Sequence, residues 1–276
     1  MPRQPTLVGQ PVLIVVDIQK GAFLDRSNAG IPTMPEYYDN MARARRVVDA
    51  AHDASVPVIF FQEIHRRDMV DYGRELDGSE GVHCLEGEPG TPVAAEEMDM
   101  RPTDYFIHKR RYSCFFGTEL EILLKGLKAE TLILVGGMTD VCVHYTFADG
   151  HQSDYYCRVI SDSVGGTSPE AHQASLNAME YLQEGAVQTT DEIVGKLSPC
   201  DIVLVEGYKR GDHDKIEIRR AVSETGTPLA PGDAHVVAVV GDAEDTDRLP
   251  VFPADAIADI ADFIERHTGL RNGEPS

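Results

Sequence analysis

Residues 131–142 read TLILVGGMTDVC: an apolar, β-prone run, two glycines, and a cysteine a few residues further on. The run 131–135 is too brief for a helix, and its composition suits a strand buried on both faces of a parallel sheet. The segment therefore closes a buried strand and opens a helix spanning about 140–150. Strand ends of open α/β sheets are where ligands bind. A cysteine in the first turn of a helix meets the positive end of the helix dipole and free backbone N–H groups, which lower its thiol pKa and can supply an oxyanion hole. Cys142 is accordingly a candidate nucleophile, set against the alternative of a buried structural cysteine.

Outward from this segment the same rhythm continues. Strands are predicted at 11–16, 57–62, 104–107, 156–160 and 186–188, with helices at 34–54, 118–127 and 169–184. Alternating β and α units of this length imply an α/β fold with a mostly parallel sheet and helices on both faces. Thr118 with Glu121 reads as a capping box, and Ser168-Pro169 as a capping hydroxyl followed by a first-turn proline. Residues 63–103 form a long polar connection punctuated by glycine and proline, the kind of loop that builds sites. After about residue 196 the pattern restarts, with strands at 201–206, 215–219 and 235–240 and an amphipathic helix at 254–267. Two domains are expected, 1–197 and a small α/β appendage at 198–276.

Composition narrows the function. The 46 acidic and 25 basic side chains give a net charge of −21, which argues against nucleic acid or an anionic membrane as partner. Apolar runs fall short of the roughly 20 residues of a membrane span, and no signal segment opens the chain, so a cytoplasmic location is expected. Five cysteines without a C-x-x-C pair fit reduced thiols.

A thiol nucleophile needs a proton acceptor and a charge partner. Asp17 directly follows the apolar run VLIVV, where a carboxylate is tolerated only if it caps a turn, is paired, or works in a site. Lys109 follows strand 104–107 within HKRRYS, where the alternative is a solvated basic patch. His83, His144, His151 and His172 invite a Cys/His dyad, but His144 is only two residues from Cys142 and cannot share its helix face.

Asp17-Ile18-Gln19 with Phe23, then Lys109 with Ser113, Phe115 and Gly117-Thr118, then the Gly136-to-Cys142 turn, occur in the order and spacing of the isochorismatase-like cysteine hydrolases. Over roughly residues 10–195 the chain resembles that family. The resemblance implies a catalytic triad of Asp17, Lys109 and Cys142 at the C-terminal edge of the sheet. It also implies a cis peptide between Gly137 and Met138, and an oxyanion hole from the backbone N–H groups of Met138 and Cys142. Isochorismatases proper lack the cysteine, so its presence points to hydrolysis of an amide, ureide or carbamoyl compound through a thioester. Nicotinamidases of the family hold a metal with Asp-x-His and further histidines after the second strand. Here that stretch reads Gln62-Glu63-Ile64-His65, so no metal and no cofactor are expected, and His65 is taken as a loop histidine. The resemblance is nearer to the biuret and N-carbamoylsarcosine hydrolases, which implies substrate contacts from Phe23, Glu63 and Gln183. The expected partners are a small-molecule amide or ureide and further copies of the chain in a homodimer or homotetramer.

Residues 201–209 (DIVLVEGYK) with 215–217 and 249–252 resemble the C-terminal half of the molybdopterin-guanine dinucleotide biosynthesis adaptor, MobB. No G-x-x-x-x-G-K-[ST] phosphate loop occurs in the chain, so nucleotide binding is not expected. The competing reading is an accessory role in molybdenum-cofactor assembly carried by this segment.

Overall fold

The computed structural model describes residues 6–24, 30–197, 214–219, 228–230, 232–241 and 249–270. The chain separates into two compact units, Met1–Pro199 and Cys200–Ser276.

In the first unit six strands form one sheet in the order β3-β2-β1-β4-β5-β6. They are β1 (Gln10–Val16), β2 (Val58–Glu63), β3 (Tyr105–Lys109), β4 (Ala129–Gly137), β5 (Tyr156–Gly165) and β6 (Val187–Gln188). All neighbouring strands run parallel. Period-two alternation sends Leu13 and Val15 to one face and Val12, Ile14 and Val16 to the other, and each set joins its own core cluster. One face is covered by α1 (Tyr37–Asp53) and α5 (Thr190–Leu197). The other packs beneath α2 (Leu120–Gly126), α3 (Cys142–Gln152) and α4 (Pro169–Leu182). Burial on both faces is why β1, β2 and β4 read as continuous apolar runs.

The chain moves outward from β1 to β2 and β3, then returns to lay β4 beside β1. Strand order reverses there, so the loops after β1 and β4 diverge and leave a crevice at their carboxyl ends. Asp17 leaves β1, and the Gly136–Cys142 turn leaves β4.

Two local expectations change. Helix α5 goes unpredicted because eight residues, one of them Gly195, give too short a window for periodicity; Ile193 and Leu197 nevertheless anchor it in the core. The capping box at Thr118 does not close. Thr118 Oγ1 accepts from Leu120 N at 3.2 Å, while Glu121 turns away to Lys125 Nζ at 2.6 Å. Ser168 does cap α4, accepting from Ala171 N at 3.1 Å ahead of Pro169.

In the second unit, β7 (Lys215–Arg219), β8 (Val236–Gly241) and β9 (Val251–Phe252) form a parallel three-stranded sheet, accompanied by α6 (Ile257–His267). The strand expected at 201–206 lies outside the described residues. No described helix is long and apolar enough to cross a membrane.

Candidate active site

The site assembles because four adjacent strands end on one line. Glu63 and Lys109 are register partners at the ends of β2 and β3, and Val16 and Gly136 are partners at the ends of β1 and β4. Asp17 follows in a left-handed conformation (φ 50°), one that aspartate tolerates better than most side chains. Gly136 is required: at φ 113° a Cβ would sit 2.0 Å from the Val16 carbonyl oxygen. The Gly137–Met138 peptide is cis. Val141 N and Val143 N both donate to the Met138 carbonyl, at 3.1 and 3.0 Å, which folds the chain into α3 with Cys142 as its first residue. Among the described residues, the amide N–H groups of Met138 and Cys142 have no protein acceptor, and both residues line the cavity described below.

Lys109 is 1 % exposed. Its Nζ lies 2.8 Å from Asp17 Oδ2, 3.5 Å from Glu63 Oε2 and 3.5 Å from Cys142 Sγ, and it donates to the Arg111 carbonyl at 2.9 Å. Asp17, Glu63 and Cys142 each present one atom within 4.8 Å of the others. Burial raises the Asp17 carboxyl, Lys109 pulls it down and Glu63 pushes it up, leaving it at about 6. Burial also disfavours ionised Glu63, but Lys109 and His65 outweigh it and bring that carboxyl to about 2. The Cys142 thiol is pushed well above its usual range by burial, with Lys109 opposing and Glu63 and Asp17 adding to the rise. This corrects the expectation of a lowered thiol pKa, because burial dominates and two carboxylates face the sulfur alongside the one ammonium.

A cavity of about 580 Å³ opens over the sulfur, lined by Asp17, Glu63, Tyr37, Glu80, Tyr112 and Met138 among others. The long 63–103 loop forms much of its wall. It is fastened by Gln19, whose side chain donates to the Glu63 carbonyl at 3.1 Å and accepts from Glu63 N at 3.2 Å. Bridges between Gln19 and Val93 and between His65 and Leu85 extend that fastening.

Not every residue expected at the site is found there. Gln183 caps the C-terminal end of α4, and its Oε1 accepts from Cys157 N and from Arg158 Nη1, both at 2.7 Å. Those partners open β5, so Gln183 stands at the amino-terminal edge of the sheet, away from the carboxyl-terminal edge that carries Cys142. A substrate contact from Gln183 is corrected to a structural tie. Phe23 is 37 % exposed and does not line the cavity, although Ala22 and Leu24 on either side of it do. Glu63 does line it, and it also contacts Lys109. His172 bonds Thr139 Oγ1 at 2.9 Å and His151 lies 3.3 Å from Gln183 Nε2, so neither serves the thiol.

His65 lies in the 63–103 loop but is shut off from solvent. It is fully buried and stacked on Tyr72 at 3.9 Å, with Nε2 3.2 Å from Glu75 and 3.6 Å from Glu63. Glu63, His65, Glu75 and His83 offer donor atoms within 4.8 Å of one another. Oxygens of Glu63 and Glu75 and both His65 nitrogens lack hydrogen-bond partners, while His83 Nδ1 is held by the Gly81 carbonyl at 2.7 Å. Two imidazoles and two carboxylates this close fit a divalent cation, a set that sequence reading missed when it discounted His65 as a ligand. The Glu-x-His spacing at the end of a strand is the signal that could have found it.

The family model described as an isochorismatase domain matches residues 11–192. A second, for molybdopterin guanine dinucleotide synthesis protein B, matches residues 168–242 and overlaps the end of the first. A ureidoacrylate amidohydrolase of Methylorubrum extorquens is 30% identical over 73% of this chain and 83% of its own length. Among solved structures, a cysteine hydrolase from Pseudomonas syringae pv. phaseolicola is 26% identical, with a TM-score of 0.60 over 71% of this chain and 95% of that one. N-carbamoylsarcosine amidase from Thermoplasma acidophilum is 25% identical, with a TM-score of 0.54 over 66% and 98%. The chain belongs to the isochorismatase-domain family and has its fold, with a MobB-like C-terminal segment.

Proposed function

We propose that this chain is a cysteine-dependent amidohydrolase that cleaves a C–N bond, other than a peptide bond, in a small amide, ureide or carbamoyl compound. The observation that carries the reading is Lys109 Nζ lying between Asp17 at 2.8 Å and Cys142 Sγ at 3.5 Å beneath a cavity. Relatives named as ureidoacrylate amidohydrolase and N-carbamoylsarcosine amidase support the bond type.

Cys142 Sγ attacks the carbonyl carbon while its proton passes to Asp17, and Lys109 steadies the anionic carboxylate and sulfur as charge moves between them. The carbonyl oxygen becomes an oxyanion, which the N–H groups of Met138 and Cys142 receive. When the tetrahedral adduct collapses, the C–N bond breaks, Asp17 gives its proton to the leaving nitrogen, and a thioester remains. Water then attacks the thioester with Asp17 taking its proton; the acid leaves, and the proton returns to the thiol. A divalent cation held by Glu63, His65, Glu75 and His83 would supply Lewis-acid polarisation beside this centre. A cytoplasmic homodimer or homotetramer belongs to the same proposal.

The test is turnover of a ureide and amide panel, followed by ammonia release, with rapid quench and mass spectrometry of the intact protein. An acyl adduct on Cys142, and a loss of at least about 10³-fold in Cys142→Ala, are expected. Undiminished hydrolysis by that variant would remove Cys142 from the role.

A further inference from the structure

We infer that the substrate carries a cationic group, a protonated amine, beyond its scissile carbonyl. The inference rests on the amidohydrolase reading and narrows it. The described residues lining the cavity include four carboxylates, Asp17, Glu63, Glu80 and Glu88, and neither lysine nor arginine. Lys109 lies behind that wall, and its charge is engaged by Asp17 and Glu63. Those two carboxylates are needed for the chemistry and would face any substrate.

Glu80 and Glu88 are different, because nothing in the acyl-transfer sequence uses them. Both come from the 63–103 loop that walls the cavity. The Tyr112 hydroxyl donates to Glu80 Oε2 at 2.9 Å, fixing that carboxylate against a ring that itself lines the cavity. Tyr37 contributes a second aromatic wall beside the nucleophile's turn: a Cβ on Gly137 would meet its hydroxyl at 2.6 Å. Ring faces and carboxylates both attract an ammonium group. A substrate carboxylate would meet the same field with the opposite sign, in a chain whose net charge is already −21. Among the described lining residues His83 is the one basic side chain, and it also belongs to the cluster with Glu63, His65 and Glu75. Ureidoacrylate, the compound in the names of several relatives, is itself a carboxylate. The cavity of this chain therefore selects a ureide or amide of the opposite charge.

The experiment uses three ureas of similar length at pH 8: (3-aminopropyl)urea, neutral propylurea and 3-ureidopropionate. Calorimetric binding to the full-length Cys142→Ala chain reads the charge preference without turnover, and kcat/KM of the parent enzyme reads it with turnover. The amine is expected to bind at least about tenfold tighter than the carboxylate, with propylurea between them, and kcat/KM should follow that order. Glu80→Gln combined with Glu88→Gln should narrow the gap to under about threefold, the glutamine keeping an acceptor for Tyr112. The inference is overturned if 3-ureidopropionate binds as well as the amine, if no compound binds, or if the double variant keeps the full preference. Hydrolysis of all three at equal kcat/KM, with equal binding, would sink the charge preference and leave the amidohydrolase standing. The expected binding order without hydrolysis of any of them would do the reverse.

Discussion

Replacing Lys109 with methionine tests the electrostatics of the site directly, because it removes the one buried cation between two carboxylates while keeping most of the volume. At the observed 2.8 Å, a unit charge pair in an effective dielectric of about 20 interacts by about 6 kcal/mol. That is an upper limit, since water and local relaxation take up part of it; breaking a buried pair by deleting one partner costs about 3–5 kcal/mol. The penalty must depend on pH. Asp17 in the folded parent is raised from 3.8 to about 6, so the folded chain holds a proton that the unfolded chain has released, and stability falls as pH rises through that window. Without Lys109 the Asp17 carboxyl titrates higher still. Lowering the pH from 8 to 5 therefore returns about 1.4 kcal/mol to the parent and more than that to the variant. The variant's deficit should be about 3–5 kcal/mol at pH 8 and smaller at pH 5. Urea unfolding of both proteins at the two pH values, followed by circular dichroism, measures this. A deficit that is equal at both, or larger at pH 5, would refute the assignment of Lys109 as the counter-charge of Asp17.

Three further outcomes are expected. As general base Asp17 must be ionised, so kcat/KM should rise with pH through about 6 and then level; a flat profile across that range would exclude it as the base. Activity should survive exhaustive dialysis against EDTA, because acyl transfer by Asp17, Lys109 and Cys142 needs no metal, and loss with recovery on adding Zn²⁺ would make the Glu63, His65, Glu75 and His83 set catalytic. Gln183→Leu removes the acceptor of the Cys157 amide and one of the acceptors of the Arg158 guanidinium, so it should cost about 1–3 kcal/mol of stability while leaving the ratio of kcat/KM between a ureide and a plain amide unchanged. A changed ratio with parental stability would return Gln183 to substrate recognition.

The strands are legible in the sequence because double burial writes them as unbroken apolar runs. Cys142 is legible because a glycine pair at a strand exit is a local signal. Asp17 and Lys109 are marked only by charge at a strand end, and nothing local says that β3, β2, β1 and β4 finish side by side. That depends on strand order, which brings residues 17, 63, 109 and 142 to one edge. The same dependence explains the errors. Gln183 stands just before a strand and His65 just after one, and sequence distance does not reveal which edge of the sheet a side chain serves. Glu75 and His83 reach His65 through a fold of the 63–103 loop that hydrophobic periodicity does not encode, held by Gln19 and by the Tyr72 hydroxyl, which contacts the His83 backbone.

Two buried carboxylates flank one lysine here, and their separation in acidity assigns their tasks. Glu63 is shared by Lys109 and His65 and falls to about 2, which makes it a fixed negative charge that holds no proton at neutral pH. Asp17 is raised first by burial and then by the like charge of Glu63, against the pull of Lys109, to about 6, where a carboxylate can take a thiol proton and give it back to a leaving nitrogen. Glu63 therefore acts on the reaction through Asp17. Removing its charge should make Asp17 a weaker base even though no atom of Glu63 takes a proton in the sequence of steps. The energy that keeps Asp17 poised comes from burying a third charge at the end of β2, beside a lysine that could have neutralised a single carboxylate outright. Burial raises Asp17, and sharing one cation between two acids leaves that rise incompletely offset.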